Sequence, residues 1–347
     1  MRAPHGVDFD QERPRDARPQ WRIAETSRRH PVGPATRFTD PAAVETWDAC
    51  FRWRAGDALR DVTIDATWWR VAHALASPGR GTDDAWAGRY FDAFSRWRVL
   101  PDERLLQCAG TDRLADASEP PAAVLNVAAF VAAPIGGAAR FERVAFVDTA
   151  ALAVRLLDDA ILAARFVSAD GGLRIGLIGV ADALRKLGVP YTSYAAQEQA
   201  RTIGQALAEG CLRGAVALAE ERGAWASGAP SPAMAERWQA QGLPSELIDS
   251  ALHIGVRHAQ LTALDRHPLL ARLANGASDA LDPEPMPLHA TRRSDPSLLA
   301  GERAICEALQ PWIDAPIGGA EAALAALVRA AGTGVPSDPD NTPGITA

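Results

Sequence analysis

Apolar and polar positions change their period twice within residues 173–225. Residues 175–180 form an unbroken apolar run, IGLIGV. It is too short for an ordinary helix and reads as a buried strand. Residues 181–187 follow as a brief helix, stopped by Gly188 and Pro190. Ser193 is placed to cap the next helix, on which Ile203, Leu207, Cys211, Ala215 and Leu218 recur at near-fourfold spacing up to Gly223. Period alone therefore predicts strand, helix, helix.

The same reading extends along the chain. Residues 1–39 are rich in Arg, Pro and Asp with few periodic apolar positions, the pattern of a disordered leader. Asp40 before Pro41 marks a helix start within 40–55. Helices are predicted over 64–75, carrying Trp68, Trp69, Val71, Ala72 and Leu75, and over 83–97, carrying Trp86, Tyr90, Phe91, Phe94 and Trp97. Aromatics at this spacing form core more often than a ligand box. Residues 141–166 predict a largely buried helix with narrow polar stripes, on which Arg155 and Asp159 are spaced to pair at i, i+4. The adjacent Asp158 and Asp159 point roughly 100° apart on a helix, which suits structure better than one shared metal ion. A Pro/Ser/Gly loop leads to a short helix over 233–240, an alanine-rich helix is predicted over 320–331, and 332–347 reads as a disordered tail.

Several segments resemble the ribonucleotide reductase catalytic (large) subunit, closest to its cobalamin-dependent type. Residues 176–184 (GLIGVADAL), Lys186–Gly188, Tyr191–Ser193 and 219–223 (AEERG) follow that family's strand, turn and long helix in order. Leu100, Pro101, Arg104, Leu106, Ala109, Gly110 and Thr111 fall on its L-P-x-x-R-x-L-x-x-A-G-T segment. Residues 126–131 (NVAAFV) resemble N-L-A-A-F, and 154–161 (VRLLDDAI) resemble R-F-L-D-N-V-I. Arg257, Ala259, Leu261, Thr262 and Ala263 match a later segment, and Asp282–Pro283 stands for its E-P. Ala308, Gln310, Pro311, Ile313 and Asp314 match the A-x-Q-P-x-I-D element.

These matches are collinear over roughly 40–331. They imply an α/β fold with predominantly helical content: a partial (half) reductase-type α/β barrel with an N-terminal helical region. The implied organisation is a leader over 1–39, a helical region over 40–115, a remnant barrel half with surrounding helices over 116–331, and a tail over 332–347. The resemblance also implies a large deletion. After Thr111 come only DRLADASEPPAAVL before Asn126, where the family has half a barrel and a finger loop with its N-L-C-x-E motif. That loop carries the family's radical cysteine and the carboxylate that acts as base. The C-terminal cysteine pair is missing as well.

Composition narrows the chemistry further. The 347 residues carry a net charge of −7, and Lys186 is the only lysine. No basic stripe suggests a nucleic-acid polymer as partner, and no apolar run approaches a membrane span. Cys50, Cys108, Cys211 and Cys306 are widely separated, without a C-x-x-C pair. Cys211 falls on the apolar stripe of its helix and reads as core. Reduced thiols and no secretory h-region lead to a cytoplasmic expectation. His253, His258 and His267 are clustered in sequence. On one helix, His253 and His258 would lie roughly 140° apart, a poor fit to one metal.

The family's phosphate-holding turn, of the Pro-Thr-Gly-Thr type, corresponds here to Leu264-Asp265-Arg266-His267-Pro268. Its hydroxyls are gone, Asp265 would repel a phosphate, and an arginine next to an aspartate usually pairs with it. Arg257, His258, Thr262, Asp265 and Arg266 are the candidate ligand-binding residues; no catalytic residue and no metal ligand is assigned. The leading expectation is a pseudoenzyme, a binding or regulatory scaffold that needs no cofactor, with adenosylcobalamin only if the family activity survives. Truncating a barrel bares strand edges, so a homo-oligomer or a complex with a reductase-family chain is expected. The alternative is an enzyme acting on a nucleotide or small molecule, either a reductase completed by a partner chain or new chemistry on the same scaffold.

Overall fold

The computed structural model describes residues 36–76, 84–113, 119–164, 172–224, 230–283 and 295–318. The leader before residue 36, the predicted helix over 320–331 and the tail lie outside these residues.

The chain opens with α1 (Pro41–Thr46), whose N-cap Asp40 accepts from the Ala42 amide at 2.9 Å. A π-helical turn, Trp47–Phe51, and a small hairpin of β1 (Arg54–Ala55) and β2 (Ala58–Leu59) follow. Helices α2 (Ile64–Leu75) and α3 (Asp84–Ser95) bury Trp68, Tyr90 and Phe94, as their spacing predicts. Strand β3 (Val99–Pro101) leads into α4 (Glu103–Cys108).

The central sheet has the order β3–β4–β7, where β4 is Ala122–Asn126 and β7 is Arg174–Ile178. β3 lies antiparallel to β4, and β4 parallel to β7, with Val124 opposite Gly176. Between β4 and β7 come a 3₁₀ turn (Val127–Phe130), the short pair β5 (Val131–Ala132) and β6 (Arg140–Phe141), and α5 (Arg143–Ala164). β4 is buried throughout and β7 nearly so, which explains their unbroken apolar runs. β3 comes from the N-terminal helical region and β4 from the stretch matched to the later family segments. The sheet and one continuous core thus join the two.

Beyond β7 come α6 (Val180–Lys186) and α7 (Tyr194–Arg222), capped by the Ser193 hydroxyl and ended at Gly223. Helix α7 packs along α5 at very short range. A Cβ on Gly210 would lie 2.4 Å from the Val147 carbonyl oxygen, and one on Gly214 2.7 Å from that of Ala151. Four helices complete the described chain: α8 (Pro232–Ala240), α9 (Ser245–Ile254), α10 (Pro268–Leu273) and α11 (Pro296–Leu309). A 3₁₀ turn, Gln310–Trp312, follows α11.

The helical content agrees with expectation, and the strands form a three-stranded sheet. Among the described residues no closed barrel forms. The sheet is continued past β7 only by single bridges at Thr262, parallel to Ile175, and at Asp279, antiparallel to Ile178. Those continuations cover the outer edge of β7. The amides of Leu173 and Ile175 donate to the carbonyls of Gln260 and Leu261, and the Gly179 amide donates to Ser278. The chain therefore closes this edge with its own backbone, and the edge is no reason for a partner.

Candidate functional site

The segment 257–268, which carries all the predicted site residues, follows Gly255. That glycine ends α9 with φ 90°, in the left-handed region. His253 stays on α9, exposed, while His258 lies beyond the helix and is buried. The two do not share a helix, because the chain turns at Gly255.

Before the bridge at Thr262, the segment contributes to a buried ionic hub. The Asp158 carboxylate on α5 accepts from Arg257 Nε at 3.0 Å, from His258 Nε2 at 2.9 Å and from Arg222 at the end of α7. Burial pushes the Asp158 pKa up. Hydrogen bonds from His258, Arg257 and Arg222 outweigh it and hold the carboxyl well below the usual carboxylate range. Neighbouring Asp159 accepts from the Tyr90 hydroxyl and lies 2.7 Å from the Arg222 guanidinium. Burial leaves the Asp159 pKa raised despite these partners and, with the adjacent carboxylate, pushes Tyr90 well up. Arg155 pairs with Glu221 instead of forming its predicted salt bridge with Asp159. A helix i, i+4 pair is worth only a few tenths of a kcal/mol, so a better-placed partner on α7 displaces it. Among the described residues, no group of histidines, cysteines and acids is arranged to hold a metal.

At the bridge itself, Asp314 acts as a clip. One of its oxygens accepts from the amides of Leu261 (2.8 Å) and Thr262 (2.9 Å), and the other takes Arg237. The Thr262 hydroxyl accepts from the Asp314 amide at 2.8 Å. Gln310 of the same element accepts from the Ile317 amide. Asp314 of the A-x-Q-P-x-I-D element thus braces the covering segment where it bridges to β7.

After the bridge, the Arg174–Asp265 pair lies nearer the surface, whereas Asp279 and Asp282 are buried. Asp265 binds Arg174 in a bidentate pair, not the adjacent Arg266. Arg266 reaches Asp282 and, at 3.5 Å, Asp279. Neighbours in sequence point apart here, so each finds a partner elsewhere. His267 Nδ1 lies 3.1 Å from Glu103. Burial lowers the His267 pKa, but the Glu103 hydrogen bond and charge outweigh it and leave it raised. Burial raises Glu103, but the His267 contact leaves it lowered. The His267 amide, at the start of α10, donates to Asp279 Oδ1 at 2.7 Å. Burial keeps Asp279 raised.

The structure therefore brings Arg257 and His258 together, places Thr262 on the sheet, and sends Asp265 and Arg266 to separate partners. Arg222, Arg174, Asp279 and Tyr90 complete these groups and were not singled out by sequence. Only the matching of Asp282 to the E-P element hinted at the last cluster.

Residues 122–265 match the family model for the ribonucleotide reductase barrel domain. This stretch is similar to that reductase domain. The match takes in β4 to α9 and ends inside the charged turn, and it covers less than half of the chain. No curated protein matches the chain.

Reductase chemistry needs thiols, and the four cysteines lie on the 47–51 turn, α4, α7 and α11, not on β4, β7 or the turns after them. Burial pushes the thiols of Cys108 and Cys306 up and that of Cys211 well up, so each holds its proton.

Proposed function

We propose that this chain is a non-catalytic relative of the ribonucleotide reductase large subunit, working as a binding or regulatory scaffold. The observation that carries this reading is the start of α10. The resemblance assigns phosphate holding to this turn and the helix after it, yet the His267 amide is already donated to Asp279. The neighbouring arginines are paired to Asp265 and Asp282. An incoming phosphate would meet three carboxylates and would have to displace one of them.

The cysteines support the same reading. Adenosylcobalamin would need a cysteine to receive its radical. Cys108 and Cys211 are buried in helices, and none of the four cysteines lies at the ends of β4 and β7. The residues do not fit that cofactor.

A scaffold acts through partners: a second copy or a reductase-family chain, in the cytoplasm. No described helix is long and apolar enough to cross a membrane. The edge of β7 is covered within the chain and gives no reason for a partner.

Incubating the purified chain with ribonucleotides, adenosylcobalamin and a dithiol tests the reading. No deoxyribonucleotide should form; turnover by the chain alone would refute it. Native mass of the tagged chain recovered from its own cells tests the other half. A monomer alone contradicts the scaffold role.

A further inference from the structure

A cavity of about 220 Å³ lies between α7, α8 and residues 256–261, on the other side of the segment from the charged turn. Leu212, Met234, Trp238, Val256 and Leu261 give it apolar walls. Its polar lining comes from Arg237, Asp314, Gln260 and His258. The walls are fixed from outside. The Trp312 indole donates to the Gln241 carbonyl at 3.0 Å, and the Gln241 side-chain Nε2 donates to the Pro311 carbonyl. His258, which also lines the cavity, is held by Asp158.

Size decides what can enter. Drug-sized ligands need roughly 300–1,000 Å³, so this space is too small for a nucleoside diphosphate or a corrin. A dry cavity of about 150 Å³ takes benzene, so this one has room for a fused pair of rings.

Charge decides which end faces out. Asp314 keeps both backbone amides on one oxygen whatever Arg237 does. Arg237 is 42% exposed in its side chain and uses only part of its donor fork on Asp314. A ligand carboxylate at the rim can therefore share the guanidinium without leaving Asp314 bare.

We propose that this cavity is a binding site for a small aromatic carboxylate, with the rings against Trp238 and Met234 and the carboxylate on Arg237. The inference gives the scaffold reading its ligand class and rests on that reading for its purpose. The pocket test reads binding, whereas the test above reads turnover, so the two fail separately.

Indole-3-acetate and uncharged indole serve as probes, followed by calorimetry and ligand-observed NMR on the full chain. Saturable binding of indole-3-acetate, tighter than indole, is expected. Arg237→Met should weaken the acid roughly tenfold, the worth of one charge-assisted hydrogen bond, and leave indole unchanged. Met234→Trp should fill the space and abolish both. If that variant does not fold, Ala259→Phe fills the cavity from the other wall. No saturable binding to the wild type, or binding that survives filling, overturns the site. Indole binding as tightly as indole-3-acetate overturns the anionic assignment.

Discussion

The two ends of residues 257–268 use the same side chains to different effect. At one end, Arg257 and His258 meet Asp158, whose side chain is 1% exposed, together with Arg222 from α7. At the other end, Arg174 and Asp265 pair with 38% and 35% of their side chains exposed. The first group ties α5, the end of α7 and the loop after α9 into one buried knot, where an unpaired charge is expensive. The second sits where water screens it, so its pairs fix little. Depth, not residue type, separates a structural lock from an adjustable rim.

Asp158→Ala attacks the lock. It removes the buried acceptor that Arg222, Arg257 and His258 share, and should cost about 3–5 kcal/mol in urea unfolding. A loss below about 1 kcal/mol would erase the contrast between the two ends. Asp314→Ala tests the joint between them. It leaves the amides of Leu261 and Thr262 without their acceptor. The expected cost is about 2 kcal/mol, with faster hydrogen exchange at Ile175 and Ala263, whose amides bond across that edge. Asp265→Asn, on the rim, should change stability by less than about 1 kcal/mol; a larger loss would show that the rim is locked too.

The smallest effect is a pH dependence confined to the rim. His267 has a raised pKa, so its contribution is fully present below the unfolded value and fades as pH rises through the folded one. Glu103 has a lowered pKa, so its contribution is present above its unfolded value and fades as pH falls through the folded one. The pair is therefore strongest in the acidic-to-neutral window between them. His267→Gln should flatten the alkaline side of the stability profile, and an unchanged profile would remove the pair from the account.

Local features were legible in the sequence. The α2 bounds, the Asp40 and Ser193 caps and the stop at Gly223 follow from spacing and cap chemistry that act within a turn or two. The charged partners were not. Asp158 draws on Arg222, Arg257 and His258, which lie 64 to 100 residues away. Period carries no information about such pairings. α9 was missed as well: no element is predicted between residue 240 and the segment that begins at Arg257. The same neighbour-based reasoning paired Arg155 with Asp159 and Arg266 with Asp265, and in both cases a distant partner won. For the candidate site, the sequence marked the segment and the loss of hydroxyls from its turn. It did not mark Asp279, whose carboxylate takes the amide at the start of α10.

That contact is the point on which the account turns. Calorimetric titration of the full chain with cytidine diphosphate, on the wild type and Arg266→Met, tests it most directly. With the His267 amide before α10 and the nearby arginines held by the chain's own carboxylates, neither protein should bind saturably. Saturable binding to the wild type that weakens in Arg266→Met would show the turn still holding phosphate, and would contradict the reading of this chain as a scaffold that has left reductase chemistry.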